Sequence, residues 1–426
     1  MSNGPVQGAD DIDWAALAPD RGAEIPELLR ALADPARAVD AVRDLHEILV
    51  FPSAGNPAAP KAVDFLVDIA RAASPADAWP VLNLLHELAV SAAADHLPQR
   101  RDVALWRDEV AWADGSDDDA VRAQYAEWLA DAPDEQQYRR MRHRADAVAP
   151  DGGPALLRSE LDTYDAIKAR IDDLLPLLRG AVNRRGLDSA AEWTAYLLAW
   201  FPEEAAKITG AITAAVADVN PGGWPDPLGA EVFALGMLAD PDDITTTIYL
   251  GQQLLSRGPD KALAAAVGLG LIHGEGAPQQ CVDVIEEKAE SLDETFGVAW
   301  PSSAGSEPAE LGRLALGALG ERSRRVRIST LPDGFEATAG VGEAPLVGDA
   351  LALAFGPRRE QHKPAAADAF DGYDGDRQEV LWAIAGLPEE QWESADIPAD
   401  LEVWGLPSEY EAFLEFTGAV DADDEG

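Results

Sequence analysis

The chain of 426 residues is 47% hydrophobic and contains twelve tryptophans, which indicates a folded protein and excludes a disordered one. Its 77 acidic and 33 basic residues give a formal net charge of −44. This charge excludes nucleic acid and anionic membrane surfaces as partners, because both bind basic protein surfaces. Three interpretations stay open: the charge keeps the chain in solution, it reflects adaptation to a salt-rich cytoplasm, or it attracts a basic protein partner.

The N-terminal residues 1–13 (MSNGPVQGADDID) are predicted to form an acidic tail. They lack the apolar segment of a signal peptide. No stretch of the sequence approaches the roughly 18 consecutive apolar residues of a membrane-spanning helix. Cys281 is the single cysteine, which excludes an internal disulfide and a cysteine metal cluster. We therefore expect a cytoplasmic protein.

An internal repeat dominates the first part of the chain. Residues 31–50 (ALADPARAVDAVRDLHEILV) and 71–90 (RAASPADAWPVLNLLHELAV) align without a gap. The aligned segments share a proline near the start and a Leu-His-Glu triplet near the end. A period near 40 residues with a proline turn between helices is typical of stacked helical pairs. The sequence therefore predicts an all-α fold, an α-solenoid of antiparallel helix pairs.

Helical stripes lie on both sides of the repeated turn. Apolar residues spaced i, i+3, i+4 and i+7 predict helices at Ile25–Leu32, Val63–Ala70 and Val81–Leu88. The turns at Asp34-Pro35 and Ser74-Pro75 separate successive helices. We expect Asp34 or Ser74 to cap the next helix, with the proline at its first position.

A second set of stripes follows residue 160. The stripes comprise Ile167, Ile171, Leu174, Leu175 and Leu178, then Trp193, Leu197 and Trp200, and then Ile244, Ile248 and Leu255. Each has the spacing of a helix that packs one face on its neighbours. The sequence therefore predicts a helix at each of the three places.

Composition divides the chain into five predicted regions. The acidic tail is followed by repeats over 14–299, less regular at 95–155, an irregular Gly- and Pro-rich segment at 300–347, a C-terminal helical cap at 348–420 and an acidic tail at 421–426. A closing cap is expected because the last repeat of a solenoid would otherwise expose its apolar face.

Several segments resemble a known family. LDTYDAIKARIDDLLPLLRG and AEWTAYLLAWFPEEAA, within residues 161–205, are similar to the HEAT-repeat-containing proteins common in high-GC Gram-positive bacteria. The opening IDWAALAPDRGAEIPELLRALADP and the terminal LEVWGLPSEYEAFLEF extend the resemblance over nearly the whole chain. The resemblance implies a HEAT- or armadillo-like superhelix. It implies no defined activity and no catalytic residues, since the matching positions are mainly apolar and turn residues.

The densest basic patch contains Arg139, Arg140, Arg142, His143 and Arg144, within a predicted amphipathic helix. Either these arginines pair with neighbouring acids, or they bind an anionic partner segment or phosphate. A second basic cluster, Arg322, Arg324, Arg325 and Arg327, has the same two interpretations.

His46 and His86 occupy equivalent positions of the repeat. A shared metal site is disfavoured, because packed helices lie about 8–10 Å apart whereas each zinc–nitrogen bond spans about 2 Å. We assign both histidines, with the patch at residues 139–143, to a partner-binding surface.

No catalytic motif accompanies these residues. GLGLIHGEG (268–276) lacks the Lys-Ser/Thr of a phosphate loop, and DGYDGDRQE (371–379) lacks EF-hand spacing. We therefore predict no catalytic residue, metal or cofactor.

The preferred hypothesis is a non-enzymatic interaction scaffold that binds a protein partner, possibly a basic one, as an immunity or antitoxin protein would. The alternatives are a lyase or enzyme accessory acting on a small ligand, and a structural subunit of an assembly. The sequence does not determine the oligomeric state.

Overall fold

The computed structural model describes most of the chain. The described residues are 4–50, 56–90, 102–149, 153–179, 190–219, 227–289, 316–332, 334–335, 347–358, 370–394 and 397–419. Within them all regular secondary structure is helical and no β-strand occurs, so the predicted all-α class is confirmed. None of the helices in these ranges is long and apolar enough to cross a lipid bilayer.

The α-helices of the first 289 residues are α1 (Trp14–Leu17), α2 (Ile25–Leu32), α3 (Ala38–Leu49), α4 (Ala59–Ala72), α5 (Trp79–Val90), α6 (Val103–Asp114), α7 (Asp118–Ala130), α8 (Glu135–Val148), α9 (Gly153–Ala169), α10 (Ile171–Leu174), α11 (Ala190–Leu198), α12 (Ala205–Val219), α13 (Gly229–Leu238), α14 (Ile244–Leu254), α15 (Pro259–His273) and α16 (Gln279–Ala289). Those that follow are α17 (Arg324–Ser329), α18 (Val347–Phe355), α19 (Gly375–Ala385), α20 (Glu389–Ser394), α21 (Ile397–Val403) and α22 (Tyr410–Thr417).

The chain forms two compact units. Unit 1 comprises Met1–Tyr125 and His143–Leu319, and unit 2 comprises Ala126–Arg142 and Gly320–Gly426. Part of the predicted N-terminal tail is described in unit 1, where Ala9 is buried and its carbonyl accepts a 2.7 Å hydrogen bond from Trp14 Nε1. The predicted C-terminal tail, residues 421–426, lies outside the described residues.

The repeated turns share one backbone geometry. The amide of Arg37 donates to the Asp34 carbonyl, and the amide of Asp77 donates to the Ser74 carbonyl, each at 2.9 Å. The predicted place of proline is wrong, however: α3 begins three residues after Pro35 and α5 four residues after Pro75. Both prolines therefore shape the turn itself, where their fixed φ favours a tight reversal.

Helices of unit 1 contact one another in an ordered series. Helix α3 contacts α5, α5 contacts α11, α11 contacts α13, and α13 contacts α15. Helices adjacent in the chain also pack as pairs, including α2 with α3, α4 with α5 and α14 with α15. These packed faces bury leucine, isoleucine, valine and alanine, which supply the apolar core of the unit.

The packing of α13 against α15 depends on two glycines. A Cβ atom built on Gly236 would lie 2.6 Å from the Cα of Gly268, and one built on Gly268 would lie 2.8 Å from the Cα of Gly236. Backbone therefore meets backbone at this point, an approach that any larger residue would prevent.

Unit 2 joins residues 126–142 to the C-terminal helices, a grouping that periodicity does not reveal. Arg358 connects the two segments: its guanidinium bonds to Glu135 and Asp400 and lies 3.7 Å from the ring centroid of Tyr138. Burial opposes the charge of Arg358, but the two carboxylates keep its pKa above the ordinary value. An apolar cluster that includes Leu351, Ile384, Leu401 and Phe413 forms the rest of the core.

Candidate protein-binding surface

The two repeat-related histidines have different surroundings. His46 on α3 is half-buried, whereas the side chain of His86 on α5 is completely buried. Trp200 donates its indole Nε1–H to His86 Nε2 over 3.0 Å. Because tryptophan is only a donor, Nε2 must accept, and the imidazole proton therefore resides on Nδ1. His86 lies in the core, where it links α5 to Trp200. The structure therefore does not place His86 on a binding surface, where the sequence predicts it.

The neighbour that covers His86 is α11, together with the turn that follows it. The rings of Trp193 and Trp200 each lie 6.0 Å from the His86 ring, in edge-to-face orientation. The Nδ1 atom of His86 and the Nε1 atom of Trp193 are buried and have no hydrogen-bond partner among the described residues. The core of unit 1 therefore contains buried polar nitrogen atoms within this aromatic cluster.

The predicted arginine patch does not lie in one compact unit. Arg140 and Arg142 belong to unit 2 and His143 to unit 1, as do His46 and His86. The Nη1 atom of Arg142 donates to the Tyr138 hydroxyl at 3.3 Å. Arg140 and His143 are half-buried, and the side chain of Arg139 lies outside the described part of the structure.

The next arginine along α8, Arg144, is buried in unit 1. Its Nη1 atom lies 2.6 Å from a Glu160 carboxylate oxygen, and its Nε atom lies 3.6 Å from Glu109 Oε1. The Tyr125 hydroxyl donates to the same Glu109 oxygen at 2.7 Å. Arg144 therefore pairs with acids inside the fold, as the structural interpretation of the patch predicts.

The second basic cluster, on and around α17, also pairs with acids. Arg324 Nε lies 3.2 Å from Asp376, and Arg325 lies 2.5 Å from Glu379. Burial and the neighbouring Arg324 charge lower the pKa of Arg327. The Arg324–Asp376 and Arg325–Glu379 contacts are ion pairs within unit 2.

An exposed apolar surface lies on α14 and at its C-terminal end. Ile244, Ile248 and Leu255 are 72%, 57% and 78% exposed. Leu250 and Leu254, about 110° farther around the helix, are buried. The Ile244 stripe does mark a helix, α14, but the stripe is exposed, because α14 is apolar on two sides and buries the other one. Contiguous exposed apolar side chains indicate an interaction site.

The exposed row has a regular spacing. Together with Gly251, its three apolar residues follow intervals of four, three and four, which place them within about 60° of one another around the helix. A Cβ atom built on Gly251 would meet no other atom within 4 Å. We call Ile244, Ile248, Gly251 and Leu255 the α14 row.

Exposed acidic residues precede α14 in the chain and lie on a helix that contacts it; we call them the rim of the α14 row. Asp240 and Asp242 are exposed just before α14, and Asp283 and Glu286 are exposed on α16, which contacts α14. None of these four acids has an ion pair within the described ranges. Arg257 is an exposed cation two residues beyond the row. The rim is therefore mainly negative, with its basic member at the C-terminal end.

The start of α14 is fixed by its cap. Asp243 Oδ1 accepts hydrogen bonds from the amides of Thr245 and Thr246, and the Thr246 hydroxyl donates to Asp243 Oδ2 at 2.6 Å. These bonds to the Thr246 hydroxyl and amides lower the pKa of Asp243. The row is thus presented on a capped helix that is anchored by the buried Leu250 and Leu254.

Comparisons with known proteins identify no relative. No family model matches the chain, and neither a curated protein nor a solved structure is significantly similar to it. Within the described ranges, no group of three or more His, Cys, Asp or Glu side chains is arranged to hold a metal ion. The candidate site therefore has to be interpreted from its own geometry.

Proposed function

We propose that this chain is a non-enzymatic interaction scaffold, a HEAT-type α-solenoid whose acidic surface binds a basic protein. The observation that carries the proposal is the α14 row, an exposed apolar strip that follows two exposed carboxylates on a helix in contact with the acidic α16. Apolar anchors with a charged rim are the common composition of a protein-binding patch, in which the anchors provide affinity and the charges provide steering.

The solenoid architecture is supported by the order of helix contacts in unit 1. The series α3, α5, α11, α13 and α15 packs each helix on the preceding member, and the helices between them pack beside the series. Stacked helical pairs produce such a nearest-neighbour pattern. The proposal places the partner on α14, rather than on the predicted surface of His46, Arg140 and Arg142. One specific form is an immunity-type role, in which the chain masks a basic effector.

The test is a pull-down with the tagged full chain from a lysate of its native host, eluted in salt steps and analysed by mass spectrometry. A basic protein released as the salt concentration rises is expected, because screening weakens attraction between opposite charges. A tagged acidic protein of similar net charge serves as the bait control. Capture of the same proteins by both baits, or of none by this chain, would reject the proposal.

A second candidate function is an enzyme accessory or lyase that acts on a small ligand. The observation in its favour is the His86 cluster, where two buried N–H donors lack hydrogen-bond partners among the described residues. Such groups cost about 1–3 kcal/mol each unless an acceptor is present. Absorbance spectra and native mass spectrometry of the purified chain would detect a ligand that His86→Leu removes. An unliganded protein in both measurements would argue against this function.

A further inference from the structure

We propose that the α14 row receives an amphipathic α-helix of the partner protein, apolar on one side and basic along its flanks. The inference rests on the proposed function and names the part of the partner that is recognised. It follows from three properties of the row: its spacing, its glycine and the charge of its rim.

The spacing of the row matches a helix rather than an extended peptide. Intervals of four, three and four residues produce the narrow seam along which two helices interlock side chains. An extended strand would instead need an exposed sheet edge, and the described residues contain no strand. A partner helix with apolar residues at the same intervals would place its side chains between Ile244, Ile248 and Leu255.

Gly251 makes a close approach possible at the centre of the row. The α13–α15 crossing shows how this protein uses glycine between helices, since the backbones at Gly236 and Gly268 touch there. Gly251 has the same absence of a side chain but faces open space. A partner backbone could therefore approach α14 at Gly251 as α15 approaches α13 at Gly236.

The rim determines the charge of the partner helix. Asp240, Asp242, Asp283 and Glu286 need basic neighbours when an approaching surface displaces their water. A second copy of this chain would bring a net charge of −44 against an equally charged molecule, which disfavours self-association. Arg257 at the opposite end of the row predicts that the most basic end of the partner helix lies near Asp240 and Asp242.

The test uses dye-labelled synthetic peptides and the full chain, with binding followed by fluorescence anisotropy. The probe peptide has leucines at intervals of three and four and lysines on both flanks. One control replaces every lysine with glutamate, and a second scrambles the probe so that no apolar stripe remains. We expect the probe to bind at least about tenfold more tightly than either control, with an affinity that falls as salt rises.

Variants locate the binding site. Ile248→Asp should weaken probe binding at least about tenfold, whereas Val39→Asp, at a 59% exposed position of α3, should leave it unchanged. Gly251→Leu should also weaken binding, and Gly210→Leu is its matched control, because a Cβ atom at Gly210 on α12 meets nothing within 4 Å either. Circular dichroism establishes that all four variants keep the helical fold.

Each contrary result is specific. Equal binding of the probe and the scrambled peptide, or unchanged binding after Ile248→Asp, overturns the inference. Ultracentrifugation in which Ile248→Asp converts a dimer to a monomer would show that the row binds a second copy instead. If the basic protein captured from lysate binds Ile248→Asp as well as the original chain, the scaffold function stands without its α14 site and this inference fails. If no basic protein is captured at all, the proposed function itself fails.

Discussion

Helices α13 and α14 both carry a glycine in an apolar face, but only the glycine of α13 is covered by another helix. Gly236 meets Gly268 of α15 backbone to backbone, whereas Gly251 faces open space between Ile248 and Leu255. Two similar faces therefore have opposite surroundings within one unit. The comparison teaches that apolar composition alone does not identify a core face: a neighbouring helix has to be present.

The largest expected effect separates the two faces of α14. Leu250→Ala should lower the free energy of unfolding by about 2–5 kcal/mol, because it leaves a cavity in the buried face. Ile248→Ala should change it by less than about 0.5 kcal/mol, because Ile248 is exposed. Urea denaturation measures both values. Similar costs for the two substitutions would show that the α14 row is covered in solution.

The second comparison concerns the glycines directly. Gly236→Ala should destabilise the fold by about 1–3 kcal/mol, since its Cβ atom would lie 2.6 Å from the Gly268 backbone. Gly251→Ala should instead stabilise it by about 0.5–1 kcal/mol, because alanine has the higher helix propensity and open space surrounds the site. Thermal unfolding of both variants should give shifts of opposite sign, and a matching sign would contradict the comparison.

The repeat-related histidines extend the contrast between covered and open positions. His86→Ala removes the acceptor of the Trp200 indole N–H and should cost about 1–3 kcal/mol, beyond the packing that is lost. His46→Ala, on a half-buried position of α3, should have the smaller effect. Denaturant unfolding monitored by tryptophan fluorescence compares them, with His46→Ala as the matched control. Equal losses of unfolding free energy for the two variants would show that His46 lies in an environment equivalent to that of His86.

The smallest expected effect is a pH dependence of stability that arises from one ion pair of unit 1. Arg107 forms two hydrogen bonds to Asp165 and thereby lowers the pKa of that carboxyl group. A lowered folded-state pKa gives stability that is present above the unfolded value, about 3.9, and is lost as the pH falls through the folded value. Because the pair is partly exposed, solvent screening should keep its contribution below about 1 kcal/mol.

Asp165→Asn tests this contribution. The variant should lose less stability than the original chain when the pH falls below about 4, as measured by chemical denaturation at a series of pH values. Asp162→Asn is a suitable control, since Asp162 pairs with Arg158 at an exposed site on the same helix. Identical pH profiles for Asp165→Asn and the original chain would show that the Arg107 pair does not couple folding to pH.

Local features were predictable from the sequence because they depend on near neighbours. The helical class is confirmed, and the repeated segment correctly predicts turns at Asp34 and Ser74. The place of the prolines was wrong because propensity at a helix start does not distinguish the first turn of the helix from the loop before it.

The orientation of α14 and the burial of His86 could not be predicted in the same way. Ile244, Ile248 and Leu255 fit a helical stripe as well as Leu250 and Leu254 do, so periodicity cannot decide which face a neighbour covers. His86 is buried because α11, about one hundred residues farther along the chain, packs on α5. Both outcomes depend on tertiary contacts, which the local spacing of apolar residues does not reveal.

The bond between Arg358 and Glu135 joins residues 223 positions apart in unit 2. During synthesis, Glu135 leaves the ribosome long before Arg358 has been added to the chain. At about 5–20 residues per second, the delay is roughly 10–45 s. Throughout that interval residues 126–142 lack their partners from the later part of the chain, so unit 2 completes its fold only after most of unit 1 has already emerged.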